Sequence, residues 1–310
     1  MVSYNNSYGP GSGAPEGHAS DNSLPEGHAL GSSAQGGHAQ TSYNPGSLED
    51  ALHVRATTCA IPYGGGTDLM IKADPDASYV FLHRVPELRH IADDGRYLRI
   101  GASCTFTEVA DNPLCPPILR DAINQIAAPA IRNLGTIGGN IGNGSPKADS
   151  ALVFFVTDSK LRLMSEKEER IIPIKDFYQG RNKLALRPDE LIVEVLIPKQ
   201  DRGRYYYRKV GAREALAISR ISFAGLLDEK NGRIKNCAVA FGAISNVIIR
   251  RDDIDAMLIS KTIEEAKAMK PGYLSAYDAA IVPIRGRVSE TYRKEVCMNL
   301  LRDFLEVMGI

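Results

Sequence analysis

The stretch that decides the fold is residues 61–70, Ile-Pro-Tyr-Gly-Gly-Gly-Thr-Asp-Leu-Met. The apolar run from Cys59 to Tyr63 predicts a strand, and the three glycines after it predict a loop. Glycine adopts positive φ easily and lets a ligand approach the backbone, so successive N–H groups of this loop can cradle an anion. We therefore predict a phosphate or pyrophosphate site here, with the hydroxyl of Thr67 as a further donor.

Two well-known phosphate motifs are excluded for this loop. No Gly-Lys-Ser/Thr follows the glycines, so it is not a Walker A loop, and the spacing Gly-x-Gly-x-x-Gly is absent. A glycine triplet taken alone is also typical of a turn or linker, and that alternative stays open until a second motif is considered.

A second glycine-rich stretch follows further along the chain. Residues 131–140 read Ile-Arg-Asn-Leu-Gly-Thr-Ile-Gly-Gly-Asn, and residues 141–150 continue with small and polar side chains. Such a segment suits a backbone wrapped closely around a flat polar ligand. Two backbone cradles would suit a dinucleotide with two ends to hold, whereas the alternative is a buried glycine-rich loop without a ligand.

Length and composition exclude several classes of protein. The chain has 310 residues, which indicates about two domains. Lys plus Arg and Asp plus Glu both number 37, which argues against a strongly basic nucleic-acid binder. No stretch approaches the roughly 18 apolar residues of a membrane span, and the N-terminus lacks the apolar core of a signal peptide. We therefore expect a cytoplasmic protein without membrane contact.

The cysteines and the N-terminal segment carry no strong metal signal. The five cysteines are scattered and form no C-x-x-C pair, so we expect no metal site and no iron–sulfur cluster in this chain. Residues 1–42 are rich in Gly, Ser and Ala, and they repeat a Gly-His-Ala unit at His18, His28 and His38. This composition predicts a disordered low-complexity tail, with weak binding of a divalent metal as the alternative.

The remaining chain predicts an α+β fold in two parts that divide near residue 200. In the first part we expect a helix capped by Ser47, a helix over 118–128 ended by Pro129, and strands over 79–82, 97–102, 161–164 and 191–197. In the second part we expect long strands over 205–210, 218–227 and 234–244, a hairpin turn at Asn231-Gly232, and a closing helix over 289–308.

At this point the residues carry a family resemblance. Residues 61–70 and 131–140 resemble the two FAD-binding motifs of the flavoprotein, or medium, subunits of the molybdenum hydroxylases, most of all that of xanthine dehydrogenase. The nicotinate and aerobic carbon monoxide dehydrogenases have similar subunits. The likeness covers residues 43–310, and further matching segments are 86–88, 98–102, 148–150, 188–192 and 207–213.

The resemblance implies the domain types. Residues 43–200 would form a two-part FAD-binding domain of the vanillyl-alcohol-oxidase (PCMH) type. Residues 201–310 would form a smaller α+β domain of the carbon monoxide dehydrogenase flavoprotein C-terminal type, with an antiparallel sheet and helices.

The resemblance also implies the site. The first motif would wrap the FAD pyrophosphate, and the second would line the other side of the cofactor. Asp149 would accept hydrogen bonds from a polar part of FAD, and Leu191 would contact the adenine end. Lys209 would lie near the isoalloxazine, where a cation stabilises the anionic reduced flavin; the alternative is an exposed lysine on a strand. The implied cofactor-binding residues are Ile61, Pro62, Tyr63, Gly64, Gly65, Gly66, Thr67, Asp68, Gly135, Thr136, Ile137, Gly138, Gly139, Asn140, Asp149, Leu191 and Lys209.

No catalytic side chain is predicted, because the flavin ring would carry the redox chemistry. Family members that attach FAD covalently use a His or Cys in the first motif, which has neither here, so noncovalent FAD is implied. Cys115 stands alone where some relatives carry a cluster-binding loop, so an extra four-iron cluster is not expected. Tyr205, Tyr206 and Tyr207 would either stack near the flavin or pack on the core.

The resemblance implies a place in an electron-transfer complex. A 2Fe-2S subunit would deliver electrons from a molybdenum-cofactor subunit that hydroxylates a purine or similar heterocycle, and NAD or another acceptor would receive them. Molybdopterin and 2Fe-2S would reside on the partner subunits only, in a dimer of heterotrimers. The alternatives are a nicotinate or carbon monoxide dehydrogenase subunit, a self-contained flavin oxidase of the same fold, and a nonenzymatic scaffold.

Overall fold

The structure is a computed structural model that describes residues 42–199, 203–286 and 288–310. The predicted tail lies outside the described residues, except that its last residue, Ser42, already belongs to the first strand. The predicted α+β class is confirmed, because helices pack on three principal sheets, two of them antiparallel.

The first sheet presents the first glycine motif. It has three parallel strands in the order β1-β3-β2, which are Ser42–Tyr43, Tyr79–Phe81 and Ile61–Tyr63. Helix α1 (Leu48–Thr57) covers it, and the Ser47 hydroxyl caps this helix as predicted by accepting a hydrogen bond from the Asp50 N–H at 3.1 Å. Ala51 and Leu52 of α1 are buried. Since β2 ends at Tyr63, the glycines lie at an edge of this sheet.

The second sheet is antiparallel and has five strands. Their order is β4-β5-β10-β6-β7, which are Ile91–Asp93, Tyr97–Gly101, Leu191–Pro198, Lys160–Met164 and Glu169–Pro173. Strand β10 is central and buried from residue 191 to residue 197. A small hairpin of β8 (Tyr178–Gly180) and β9 (Lys183–Leu184) lies between β7 and β10 in the chain.

Six short helices connect these strands. They are α2 (Phe106–Asp111), α3 (Pro117–Asn124), α4 (Pro129–Arg132), α5 (Ile137–Gly142), α6 (Asp149–Val156) and α7 (Ile174–Phe177). The prediction of one helix over 118–128 was wrong at its C-terminal end. Ala127 adopts a positive φ of 42°, which breaks the helix, and Pro129 begins α4 because its fixed φ suits the first helical position.

The third sheet forms the C-terminal part. Its antiparallel strands follow the order β11-β12-β13-β14, which are Arg204–Val210, Ile221–Lys230, Arg233–Gly242 and Ile249–Arg250. The predicted hairpin turn is confirmed, because Asn231 and Gly232 have φ of 54° and 73°, as a type I′ turn requires. Helices α8 (Asp252–Asp255), α9 (Ile263–Ala280) and α10 (Glu290–Val307) complete the chain, and Ser289 caps α10.

The two parts share buried surface. One cluster of buried apolar side chains contains Val153 of α6 together with Leu226 of β12 and Ala240 of β13. A second cluster lies wholly within the C-terminal part, where Phe304 of α10 packs against Phe223. The division near residue 200 stays a prediction, although the chain does change sheets there.

A buried carboxylate ties the second sheet together. The side chain of Glu194, in the middle of β10, is fully buried and accepts hydrogen bonds from Arg99 at 2.7 and 2.5 Å, from Arg162 at 2.6 Å and from His90 at 3.2 Å. Burial alone would raise the pKa of Glu194, but these donors outweigh it and lower the pKa to about 2. The ionised form is therefore built into the fold.

We expect Glu194 to contribute to acid unfolding. Its pKa is lowered on folding, so its stabilisation is present above pH 4.5 and is lost as pH falls toward about 2. Glu194→Gln should lower the free energy of unfolding at pH 7 by about 3–5 kcal/mol, because Arg99 and Arg162 lose the buried carboxylate that pairs with both. It should also flatten the dependence on pH below 4.5, measured by urea unfolding at several pH values.

Glu264→Gln is the matched control, since the Glu264 side chain is 80% exposed and pairs with the partly exposed Lys267. It should change the free energy of unfolding by less than about 0.5 kcal/mol. An equal effect of the two substitutions would show that burial of Glu194 is unimportant.

Candidate functional site

The first glycine motif presents a row of unused donors. Among the described residues, no acceptor meets the backbone N–H groups of Gly64, Gly65, Gly66, Thr67 and Asp68. Gly66 has a positive φ of 69°, and its carbonyl oxygen accepts a hydrogen bond from the Met70 N–H at 2.9 Å, which closes the loop. Five successive open N–H groups on a tight, partly exposed loop are donors available to an anion.

The rest of the first motif is held by packing. Ile61 and Pro62 are half-buried in β2, and the Tyr63 ring packs against Phe81 with ring centroids 4.6 Å apart. A side chain at Gly66 would overlap the Tyr63 ring. Asp68 is exposed, and its carboxylate makes no hydrogen bond within the described part of the chain.

The two glycine motifs lie directly against each other. A Cβ atom on Gly64 would lie 2.5 Å from the Thr136 hydroxyl oxygen, and one on Gly65 would overlap the carbonyl oxygen of Leu134. The reason for glycine here therefore goes beyond the prediction. Gly66 supplies the positive φ, and Gly64 and Gly65 allow the second motif to approach the backbone.

The second motif uses most of its own donors. The Ile137 N–H donates to the Cys104 carbonyl at 3.0 Å, and the Gly138 N–H donates to the Ala102 carbonyl at 2.8 Å. Thr136 caps α5, because its hydroxyl accepts a hydrogen bond from the Gly139 N–H at 3.1 Å. The second motif therefore braces the first against the second sheet and leaves fewer free donors than the first.

The second motif continues into the predicted acidic residue. The Ser150 hydroxyl donates to the side-chain oxygen of Asn140 at 2.7 Å, which connects α5 to the start of α6. Asp149 is the first residue of α6 and is 5% exposed. The two glycine motifs and Asp149 are therefore linked by successive contacts.

Lys209 is buried and paired. Its ammonium donates to Asp149 Oδ2 and to the Gln125 carbonyl oxygen, both at 2.8 Å, and the Lys209 and Asp149 side chains are 8% and 6% exposed. The alternative of an exposed strand lysine is wrong. Burial raises the pKa of the Asp149 carboxyl, and the Lys209 ammonium and the Ser219 hydroxyl oppose that rise.

Two residues at this place, Ser219 and Gln125, were not identified from the sequence. The Ser219 hydroxyl donates to Asp149 Oδ1 at 2.6 Å, and Gln125 contributes its carbonyl oxygen to Lys209. The Tyr207 hydroxyl is buried near Asp149 without a hydrogen bond of standard geometry in the described residues. Ser219 lies ten residues beyond Lys209 in an irregular loop, so no periodic pattern could have indicated it.

The other tyrosines and Leu191 belong to the packing of the fold. The Tyr206 ring packs on Phe223, and Tyr207 is part of the buried core, as the packing alternative expects. The Tyr205 hydroxyl donates to Asp121 at 2.8 Å. Leu191 is buried in β10 and packs in the apolar cluster that includes Leu52 and Val80. It is not one of the residues whose contacts join the two motifs to Lys209.

Within the residues that the structure describes, no group of three or more His, Cys, Asp or Glu is placed to hold a metal ion. No helix in the same residues is long and apolar enough to cross a membrane. The arrangement instead offers backbone donors for an anion. The buried ion pair of Asp149 and Lys209 is connected to the second motif through Ser150 and Asn140.

Comparison with known proteins matches both parts of the chain to described families. Residues 37–200 match the FAD binding domain in molybdopterin dehydrogenase, and residues 205–308 match the CO dehydrogenase flavoprotein C-terminal domain. The two matches meet close to residue 200.

Individual relatives agree with these matches. The chain is 36% identical over 217 residues to the xanthine dehydrogenase FAD-binding subunit of Escherichia coli O157:H7, which covers 66% of this chain and 74% of that protein. It is 29% identical over 287 residues to the nicotinate dehydrogenase FAD-subunit of Eubacterium barkeri, covering 86% and 95%. A chain of the CO dehydrogenase from Oligotropha carboxidovorans shares the fold with a TM-score of 0.79 at 24% identity, covering 86% and 96%.

The contact between the motifs predicts the effect of a side chain at Gly65. Gly65→Val should lower the free energy of unfolding by about 1–3 kcal/mol, because the Leu134 carbonyl is backbone and cannot rotate away. The measurement is urea unfolding of the purified full chain.

Gly46→Ala provides the control, since a Cβ at Gly46 would meet no atom within 4 Å. Its free energy of unfolding should stay within about 0.5 kcal/mol of the parent protein. A Gly65→Val protein as stable as this control would contradict the close contact of the two motifs.

Proposed function

We propose, from the premise that this chain belongs to the family of FAD-binding domains in molybdopterin dehydrogenases, that it binds one FAD noncovalently and passes electrons through it. The observation that carries the proposal is the row of five open N–H groups at residues 64–68. A pyrophosphate presents several acceptor oxygens with negative charge, and these N–H groups suit it because they are preorganised by the second motif.

Each part of the site has a stated task in this proposal. The first motif binds the pyrophosphate, and the second motif fixes the shape of the first through Thr136 and Leu134. Asp149 and Lys209 supply the buried polar groups next to the second motif, while FAD supplies the redox chemistry when it is bound. No side chain of this site has to act as a general acid or base for that task.

The finer proposal concerns the complex and its substrate. The likeness to the xanthine dehydrogenase FAD-binding subunit of Escherichia coli supports xanthine, a purine, as the substrate of a partner subunit. We propose NAD as the electron acceptor. In this proposal a 2Fe-2S subunit delivers electrons from a molybdenum-cofactor subunit, in a cytoplasmic dimer of heterotrimers. The closed two-fold assembly follows the usual symmetry of soluble oligomers.

A second candidate has its own support. The nicotinate dehydrogenase subunit of Eubacterium barkeri aligns over 95% of its length, more than the xanthine dehydrogenase relative does, although at lower identity. Nicotinate is a nitrogen heterocycle like a purine, so both candidates assign the same electron-transfer role to this chain. They differ only in the partner that holds the substrate.

We expect FAD to be released completely by acid precipitation. Residues 61–68 contain no His or Cys that could form a bond to the flavin, so only hydrogen bonds and packing retain it. The measurement is absorbance at the flavin maximum in the supernatant, compared with the protein concentration before precipitation. Flavin that stays in the pellet would contradict noncovalent binding, and a colourless native protein that takes up no added FAD would contradict the proposed function.

The isolated chain should oxidise NADH with an artificial dye but should not oxidise xanthine or nicotinate. The reason is that the substrate site belongs to a partner subunit, whereas a flavin can exchange a hydride with a nicotinamide. The control is the same assay with the reconstituted three-subunit complex, in which one of the two heterocycles should reduce the flavin. Flavin reduction by a heterocycle in the isolated chain would favour a self-contained oxidase instead.

A further inference from the structure

The pair of Asp149 and Lys209 joins the two matched segments of the chain. Asp149 lies within residues 37–200, whereas Lys209 and Ser219 lie within residues 205–308. Lys209 is the last residue but one of β11, and Ser219 lies just before β12. One carboxylate of the first segment is therefore held by two residues of the second.

The geometry fixes both oxygens of that carboxylate. Oδ1 accepts from the Ser219 hydroxyl at 2.6 Å, and Oδ2 accepts from the Lys209 ammonium at 2.8 Å. The ammonium has three N–H groups, of which Asp149 and the Gln125 carbonyl use two. The lysine is thereby held at one position rather than moving freely on its long side chain.

Burial makes the charge balance of the pair important. A unit charge in a medium of low dielectric acts strongly over several ångströms, whereas an adjacent pair of opposite charges acts much less. Both side chains are more than nine-tenths buried, so water does little to screen either of them. Removing one charge leaves the field of the other largely uncompensated.

We propose that Asp149 is a positioning residue that holds and screens Lys209, so that the pair sets the electrostatic environment of the flavin and thereby its reduction potential. Ser219 positions Asp149 in turn. This inference rests on the proposed function, because it assumes that FAD is bound by the motif to which Asp149 is linked through Asn140 and Ser150. It adds Asp149 as a partner to the lysine that we expect near the isoalloxazine.

Opposite substitutions should move the flavin potential in opposite directions. In Asp149→Asn the uncompensated cation of Lys209 favours the reduced flavin. In Lys209→Met the uncompensated anion of Asp149 disfavours it. Each should change the reduction equilibrium constant at least tenfold relative to the parent protein at the same pH, which is about 30 mV for a two-electron couple.

Two further variants separate screening from a merely structural role. The double variant Asp149→Asn with Lys209→Met should return close to the parent potential, because no net charge remains. Ser219→Ala keeps both charges but removes the O–H dipole that offsets part of the carboxylate charge, so it should shift the constant about threefold in the direction of Lys209→Met. This smaller change also serves if Lys209→Met does not fold.

Asp255→Asn is the matched control. Asp255 is also a buried carboxylate paired with an arginine, Arg250, but it lies in the C-terminal core with Tyr273 and Tyr277. It should lower the stability of the protein and leave the potential of the bound flavin within twofold of the parent in equilibrium constant.

The measurement is spectroelectrochemical titration of the FAD-loaded full chain. Shifts of the same sign for Asp149→Asn and Lys209→Met, or no shift beyond that of Asp255→Asn, would overturn the inference while leaving the proposed function intact. A parent protein that binds no FAD would overturn the proposed function itself. The two failures are therefore distinguishable in one set of proteins.

Discussion

The close approach of two backbone segments is the constraint on which the site depends. Gly65 lies so near Leu134 that no Cβ fits between them, and a Cβ on Gly64 would lie 2.5 Å from the Thr136 hydroxyl oxygen. Residues 131–136 are held in place next to the second sheet. The N–H groups of Ile137 and Gly138 donate to the carbonyl oxygens of residues 104 and 102, which follow β5. The second sheet thus holds the second motif, and the second motif holds the loop of the first motif. The open donors of that loop are therefore rigid.

The same physics of buried charge has two outcomes in this fold. Glu194 accepts hydrogen bonds from Arg99, Arg162 and His90, and these donors, two of them arginines, outweigh the cost of burial and lower its pKa to about 2. Asp149 has a single cationic partner in Lys209, and burial prevails, so its pKa is raised. The Glu194 carboxylate therefore stabilises the second sheet. The Asp149 carboxylate instead forms a pair with Lys209 whose net charge a single substitution changes.

Local signals explain what the sequence could predict. Ser47 and Ser289 are the N-cap residues of helices α1 and α10. A serine hydroxyl indicates a helix start because it accepts a hydrogen bond from a free N–H group of the first turn. Asn231-Gly232 predicts its turn because few residues accept two successive positive φ angles. Helix α9 was not identified, since Pro271 inside it argues against a helix, although the capping box of Thr262 and Glu265 was available as a signal.

The site was predicted where it is local and missed where it is long-range. The two glycine motifs stand out because glycine composition is visible along the chain, but their mutual contact, which explains Gly64 and Gly65, joins residues about 70 positions apart. The pairing of Asp149 with Lys209 and Ser219 likewise spans two matched segments and leaves no pattern of spacing.

It follows that the glycine motifs of the first segment and the Lys209 ammonium of the second segment depend on each other. A fragment ending near residue 200 would keep the row of open N–H groups, yet it would leave Asp149 without either of its side-chain donors. A buried carboxylate without partners is costly, so such a fragment would expose it, protonate it or rearrange α6. The C-terminal segment therefore supplies both side-chain donors of Asp149, which is the physical reason to expect cofactor binding to depend on both segments.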